Sequence, residues 1–222
     1  MAERVLIVPG YRGSGDAHWQ SWLERNLAGC ERVSGIDWNK PALPRWVEKI
    51  GQAIDVSSEP VWVIAHSFGC LASAVAIAQQ PTKIAGAILV APADPERFSA
   101  DGIRHSGGRI TEPSITTLLP QHNLGVNGLL VGSQNDPWLS LDDARALAKK
   151  WRLPLMNAGN VGHINVDSGF GPWPLLLSLL YALRFENHKN RRCENNSAEA
   201  RVSKMRLLGS ALTPHHGQWI YL

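Results

Sequence analysis

The most informative segment of this chain is Val61-Trp62-Val63-Ile64-Ala65-His66-Ser67-Phe68-Gly69-Cys70. Its first half is a continuous apolar run, which is typical of a strand buried on both faces of a parallel sheet. A small-x-Ser-x-Gly step follows, and an alanine-rich helical pattern begins directly after it. This is the pattern of a nucleophile elbow, in which a serine occupies a strained turn between strand and helix. Because strand and helix approach closely there, the residues two before and two after Ser67 have to be small, and they are Ala65 and Gly69.

Two interpretations of Ser67 are open at this point. Serine is also a common helix N-cap, and Ala65 takes the place of the first glycine in the usual G-x-S-x-G pattern. As a nucleophile, Ser67 would need a base to accept its proton and an acid to orient that base. The backbone N–H of Phe68, at the helix start, would then face the negative charge that develops on a substrate oxygen.

Strand and helix patterns alternate on both sides of this segment. The predicted strands are Val5–Val8, Val61–Ala65, Ile84–Val90 and Gly128–Val131, with weaker candidates at Arg32–Ile36 and Leu153–Asn157. The predicted helices are Asp16–Leu27, with Asp16 as its cap, Leu43–Ile54, Phe68–Gln79, Ser140–Lys150 and Trp173–Phe185. This alternation predicts an α/β fold with a mostly parallel central sheet and helices on both faces. Functional side chains are then expected beyond the carboxyl ends of the strands.

Asp136 is the favoured acid, because it lies in a loop directly after the predicted strand Gly128–Val131. Asp142 and Asp143 are weaker candidates, since they fall in the first turn of a predicted helix, where the helix dipole accounts for carboxylates. Asp94 also follows a strand, so it stays open as an alternative acid. Its other interpretation is a turn-forming residue between two prolines.

His163 is the favoured base, because it lies in a glycine-flanked loop after the last predicted strand. The chain order Ser, acid, His is the one expected for a triad on this kind of sheet. The alternative candidates for the base are His18, His66 and His105, which precede the acid, and His188, His215 and His216, which lie close to the C-terminus.

A glycine-rich turn, Pro9–Gly15, follows the first predicted strand. It matches neither the G-x-x-x-x-G-K-[ST] nor the G-x-G-x-x-G phosphate-binding pattern. It is better interpreted as the second segment of an oxyanion hole, in which the backbone N–H of Tyr11 acts beside that of Phe68. His18 begins the following helix, either near the mouth of this site or simply on the surface.

The substrate pocket is less defined by the sequence. Trp138, Phe170 and Trp173 flank the acid and base loops, where they would either line an acyl pocket or pack in the core. The long irregular stretch 91–126 separates two predicted strands, and stretches of this length are often lids or binding loops.

Composition and charge argue against a disordered, fibrous or repeat protein. With 222 residues, 44% hydrophobic and 18% charged, the chain is expected to form an ordinary globular domain over residues 1–186. The net charge of +3 combines −1 in residues 1–186 with +4 in residues 187–222, which hold six basic and two acidic side chains and are expected to be a loosely ordered tail. Such a tail makes nucleic-acid binding only a weak hypothesis.

The chain has no apolar run of the roughly 20 residues that cross a bilayer. Its N-terminal apolar run is too short for a secretory signal, so a cytoplasmic location is expected. Its three cysteines form no C-x-x-C pair, so neither a disulfide framework nor a zinc site is indicated. The sequence therefore predicts no metal, no cofactor and no membrane partner.

The chain resembles the compact α/β-hydrolases, serine hydrolases similar to retinoblastoma-binding protein 9 and its bacterial relatives. The matching segments are Val8–Tyr11, His18-Trp19, Ala65–Gly69, Asn135–Pro137 and Gly162–Asn165. The resemblance implies a three-layer α/β-hydrolase fold with a small or absent cap. It also implies Ser67 as nucleophile, Asp136 as acid and His163 as base, acting on carboxylic esters or amides of small molecules.

The vertebrate member carries a Leu-x-Cys-x-Glu string for its retinoblastoma-protein partner, but here Arg191 and Asn195 flank Cys193, so that partner is not expected. The alternative function is a non-catalytic module of the same fold, in which the cleft binds a ligand or a protein.

Overall fold

A computed structural model describes residues 3–104 and 112–189. The chain divides into two compact units, Met1–Leu183 and Arg184–Leu222. Of the second unit only residues 184–189 are described, and they are helical. The predicted domain boundary at residue 186 therefore stays a prediction, and most of the predicted tail, together with His105, lies outside the described residues.

The described residues of the first unit form eight strands: β1 Val5–Val8, β2 Cys30–Arg32, β3 Val61–Ser67, β4 Ile84–Pro92, β5 Phe98–Ser99, β6 Gly102–Ile103, β7 Gly128–Gly132 and β8 Leu155–Asn157. Six of them form one sheet in the order β2-β1-β3-β4-β7-β8, and every neighbouring pair in it is parallel. The other two, β5 and β6, form a small antiparallel hairpin. The predicted fold class is confirmed.

The helices are α1 Trp19–Asn26, α2 Leu43–Asp55, α3 Phe68–Gln79 and α4 Leu141–Trp151. A further helical stretch, α5, begins at residue 174 and continues to the end of the first unit at residue 183. Their bounds lie within a few residues of the predicted ones. The cap of α1 differs from the prediction, because the side chain of His18, rather than that of Asp16, accepts a hydrogen bond from the helix.

The two edge strands also differ from their predicted bounds. At one edge the strand is Cys30–Arg32 instead of the predicted Arg32–Ile36, and Gly35, in a left-handed conformation with φ +75°, lies in the bend that follows it. At the opposite edge, pairing begins at Leu155 instead of Leu153, directly after Pro154, which has no backbone N–H to donate.

The sheet is covered on both faces, as its continuous apolar strands predict. Leu6 and Val8 of β1 pack in the cluster that includes residues of α2, α3 and α4. Val5 and Ile7 point to the opposite face, into the cluster that includes residues of α1 and α5. Alternation along a single strand therefore serves two cores, because successive strand side chains point to opposite faces.

The long stretch 91–126 is only partly a loop over the site. Its described part holds two short 3-10 turns, Pro95–Arg97 and Ile115–Leu118, and the β5–β6 hairpin. Phe98 and Ile115 of this stretch are buried in the same core as the sheet. Among the described residues there is no helix long and apolar enough to cross a membrane.

Candidate active site

Ser67 lies at the last position of β3, directly before α3. Its backbone has φ 54° and ψ −127°, a conformation that is costly for any residue except glycine. The side chain makes no cap hydrogen bond to the helix. Ser67 therefore occupies the N-cap position of α3 without capping it through its side chain, and the strained turn expected of a nucleophile elbow is present.

Close backbone packing around Ser67 requires two glycines. A Cβ atom on Gly69 would stand 2.3 Å from the backbone oxygen of Pro9, and one on Gly10 would stand 2.6 Å from the Cβ of Ser67. Atoms do not approach to such distances, so the loop after β1 can lie against the elbow only because both side chains are absent. This contact brings the glycine-rich turn beside Ser67.

Replacing Gly69 with alanine is expected to lower the free energy of unfolding by at least about 2 kcal/mol, because two backbone segments would have to move apart. Urea unfolding followed by circular dichroism measures the change. The matched control is Gly102→Ala, since a Cβ at Gly102 meets no atom within 4 Å. Equal stability of the two variants would contradict this account of the elbow.

Ser67, His163 and Asp136 form one chain of hydrogen bonds. The Oγ of Ser67 is 2.9 Å from Nε2 of His163. On the other side of the ring, Nδ1 is 2.9 Å from Oδ1 and 3.0 Å from Oδ2 of Asp136. The carboxylate fixes the proton on Nδ1 and leaves Nε2 to accept the serine proton. With side chains only 8% and 2% exposed, the His163–Asp136 pair is shielded from solvent.

The backbone also holds Asp136, whose Oδ1 accepts a hydrogen bond of 2.9 Å from the N–H of Trp138. Asp94, the alternative acid, caps the short 3-10 turn that follows it by accepting a hydrogen bond from the N–H of Glu96. The structure therefore brings Asp136, rather than Asp94, against the imidazole. Asp142 and Asp143 lie in the first turn of α4.

The loop that carries His163 is strained and firmly anchored. Gly162 and Ile164 both have positive φ values, 60° and 49°, which is unusual for a β-branched residue such as Ile164. The indole N–H of Trp19 donates to the carbonyl oxygen of Ile164 at 2.8 Å. Nε2 of His66 is 2.9 Å from the carbonyl oxygen of His163, so it must carry a proton and donate it.

A third anchor links the acid loop to the base loop. The Oδ1 of Asn135 accepts a hydrogen bond of 2.7 Å from the N–H of Gly162. Ser133 donates to the same oxygen at 3.0 Å. Asn135, the residue before the acid Asp136, thus holds the loop that leads to the base His163. Sequence patterns alone do not reveal this contact, nor those of Trp19 and His66.

Two further histidines at the site are electrically neutral at pH 7. Burial, and to a smaller extent the neighbouring charges of His163 and His18, hold the pKa of His66 well below its ordinary value. Burial, followed by the charges of Arg32 and His163, lowers the pKa of His18 to about 4. A neutral ring has one donor nitrogen and one acceptor nitrogen, so the hydrogen bonds of each ring determine its tautomer.

A cavity of about 470 Å³ opens beside Ser67 and His163. Its apolar lining consists of Phe98, Ile103, Trp138 and Val166, and its further polar lining of Tyr11, Arg12, His18, His66, Asn165 and Asp167. Of the four residues predicted for the substrate pocket, His18 and Trp138 line this cavity.

Phe170 and Trp173, the other two predicted pocket residues, do not line the cavity. Their rings contact each other edge-to-face with centroids 5.1 Å apart, and Trp173 packs on Trp19 at 5.6 Å. Trp173 is only 8% exposed, in the core on the α1 side of the sheet. Phe170 and Trp173 thus flank the base loop in the sequence, but their rings pack against other aromatic rings instead of lining the described cavity.

The two residues predicted as oxyanion donors both lie near Ser67. Tyr11 lines the cavity, and Phe68 is the first residue of α3, where the backbone N–H groups have no partner within the helix. The side chain of Phe68 points away into the core, against Trp46 and Phe98. The described residues contain no cluster of three or more His, Cys, Asp or Glu side chains that could hold a metal ion.

Comparison with known proteins points to one family. The family model for serine hydrolases matches residues 5–182. The YdeN protein of Bacillus subtilis is 25% identical over 194 residues, which cover 81% of this chain and 95% of that protein. The crystal structure of a YdeN-like hydrolase from Pectobacterium atrosepticum has 35% identity and a TM-score of 0.73, over 84% of this chain and 92% of that one.

A more distant neighbour shares the fold alone. Est1E from Butyrivibrio proteoclasticus has 15% identity and a TM-score of 0.59, over 85% of this chain and 89% of that one.

Proposed function

This chain belongs to the serine hydrolase family, and from that premise we propose that it hydrolyses carboxylic esters through a Ser67–His163–Asp136 catalytic triad. The observation that carries the proposal is the unbroken chain of hydrogen bonds from Ser67 Oγ to the Asp136 carboxylate, with the serine and the histidine both lining a cavity. The N-cap alternative for Ser67 explains neither this chain nor the strained backbone.

In the first half of the reaction, Ser67 Oγ attacks the carbonyl carbon of the ester, and His163 Nε2 takes the hydroxyl proton. The Asp136 carboxylate stabilises the imidazolium that forms. The carbonyl π electrons move onto oxygen, and the tetrahedral intermediate collapses when the C–O bond to the alcohol breaks. The departing alkoxide takes the proton from His163, which leaves an acyl-serine and a free alcohol.

In the second half, a water molecule replaces the alcohol. His163 removes one proton from the water as it attacks the acyl carbon, and it returns that proton to Ser67 Oγ when the acyl–oxygen bond breaks. The products are a carboxylic acid and the original enzyme. No co-reactant other than water is needed.

The negative oxygen of each tetrahedral intermediate is assigned to the backbone N–H groups of Phe68 and Tyr11. Phe68 lies at the N-terminus of α3, where the helix dipole also favours negative charge. The close contact between Gly10 and Ser67 supports the assignment of Tyr11, because it brings the residue after Gly10 towards the elbow. Each such donor typically contributes about 3 to 4 kcal/mol to stabilisation of the transition state.

The proposal is tested with a fluorophosphonate probe, which reacts with activated serines without requiring knowledge of the substrate. The purified wild-type protein is expected to gain the mass of one probe, and peptide mapping is expected to locate it on Ser67. A panel of p-nitrophenyl esters of increasing chain length then reports turnover. A folded protein that remains unlabelled would refute the proposal and favour a ligand-binding role for the cavity.

A further inference from the structure

His18 is a buried polar residue of the cavity that the proposed mechanism does not use. It directly precedes α1, and its Nδ1 accepts a hydrogen bond of 3.1 Å from the N–H of Gln20. The residue is only 4% exposed, yet it lines the same cavity as Ser67. Its ring is held between those of Trp19 and His66, whose centroids are 5.2 and 5.1 Å away.

The helix cap determines the tautomer of His18. Because Nδ1 accepts a hydrogen bond and the ring is neutral, the single ring proton is on Nε2. Nε2 has no hydrogen-bond partner among residues 3–104 and 112–189. Nε2 is open to the cavity rather than sealed within the protein, so a ligand that fills the cavity and excludes water from Nε2 is favoured when it accepts from this donor.

The other polar groups of the cavity are committed, exposed or, for Tyr11 and Asn165, only partly buried. The Nε2 proton of His66 is donated to the carbonyl oxygen of His163. Arg12 and Asp167 are exposed to solvent. The N–H groups of Phe68 and Tyr11 are assigned to the oxyanion. His18 is therefore the most deeply buried side chain of the cavity whose donor is left for a second substrate oxygen.

We infer that the Nε2–H of His18 donates a hydrogen bond to a substrate oxygen other than the scissile carbonyl. The preferred substrates are then esters with an ether, hydroxyl or carbonyl oxygen a few bonds from the scissile group. This inference rests on the proposed hydrolase function and deepens it by naming a substrate class.

Two matched substrate pairs test the inference. On the acyl side, p-nitrophenyl methoxyacetate is compared with p-nitrophenyl butanoate, which has a CH₂ in place of the ether oxygen. On the alcohol side, 2-methoxyethyl acetate is compared with butyl acetate. In each pair the ratio of kcat/KM values is compared between proteins, so the intrinsic reactivities of the esters cancel. The pair whose ratio changes shows on which side the oxygen is bound.

His18→Asn is the decisive variant, because the asparagine Oδ1 replaces Nδ1 as helix cap but the side chain does not reach the position of Nε2. In one pair, this variant is expected to lower the preference for the oxygen-bearing ester about tenfold. His18→Gln, whose amide N–H reaches further, is expected to keep more of that preference despite weaker capping. His122→Asn, at an exposed histidine, is the control and is expected to leave both ratios unchanged.

Fluorophosphonate labelling separates failure of this inference from failure of the proposed function. A wild-type protein that is not labelled refutes both. Normal labelling with identical kcat/KM ratios in wild type and His18→Asn overturns the role of His18 alone. A uniform loss of kcat/KM on all four esters would also overturn it, because such a loss would assign the His18 donor to the oxyanion. Failure of a labelled wild type to hydrolyse either oxygen-bearing ester also overturns it.

Discussion

Ser67→Ala is expected to abolish fluorophosphonate labelling and to lower kcat for ester hydrolysis about 10⁶-fold, as removal of the nucleophile does in other serine hydrolases. The reason is that no other hydroxyl is hydrogen-bonded to Nε2 of His163 among the described residues. Without Ser67 Oγ, the acyl-enzyme cannot form. Residual hydrolysis then reflects direct attack by water, aided by the oxyanion donors.

The folded state of Ser67→Ala is expected to survive. The variant loses one hydrogen bond to His163 and keeps the strained turn, because alanine has the same backbone preferences as serine at positive φ. The cost is about 1 to 3 kcal/mol, for the Nε2 atom that is left without its partner. Thermal unfolding and circular dichroism check the fold, and stopped-time ester assays check kcat. Retention of wild-type turnover by a well-folded variant would disprove the assigned nucleophile.

Asp136→Asn is expected to lower kcat about 10⁴-fold, the size of effect seen when a triad aspartate is replaced by its amide. The physical reason lies in the tautomer of His163. The amide oxygen of the introduced side chain would stay with the N–H of Trp138, which in the wild type bonds to Oδ1 of Asp136. The amide nitrogen would then face Nδ1 and donate to it, which moves the ring proton to Nε2, where it blocks acceptance of the serine proton.

Asp94→Asn is the matched control, since it makes the same chemical change in the alternative acid. The side chain of Asp94 accepts from the N–H of Glu96, and an asparagine oxygen can do the same. We expect kcat and the labelling rate of this variant to stay within about twofold of wild type, because the cap is kept and the carboxylate that bonds to His163 is unchanged. A large loss in Asp94→Asn with normal activity in Asp136→Asn would reverse the assignment.

The sequence was sufficient to predict the fold class and the loops that meet at the site. The buried strands give continuous apolar runs, and the helices between them show a period of 3.6 residues, so both signals are local. Ser67, Asp136 and His163 each follow a predicted strand. The carboxyl ends of all strands in a parallel sheet lie at the same edge. The positions of the three residues directly after strands therefore indicated that their side chains would meet.

The supporting contacts were not predictable in the same way, because they join distant parts of the chain. The Trp19 indole bonds to a carbonyl 145 residues away, and His66 to one 97 residues away. From the sequence alone, Trp19 is simply an apolar residue of a helix. For a related reason, the sequence left open whether Phe170 and Trp173 line a pocket or pack in the core. Proximity along the chain to the acid and base loops says nothing about which face of the sheet a ring packs against.

The unequal lengths of the strands bear on how this protein behaves at high concentration. The central strands β3 and β4 have seven and nine residues, whereas the edge strands β2 and β8 have three each. Short edges offer few unpaired backbone groups to a strand from another molecule. At β2, Glu31 and Arg32 add charge, and both are held in ion pairs within the chain. The sheet that positions the serine is thereby protected against edge-to-edge aggregation.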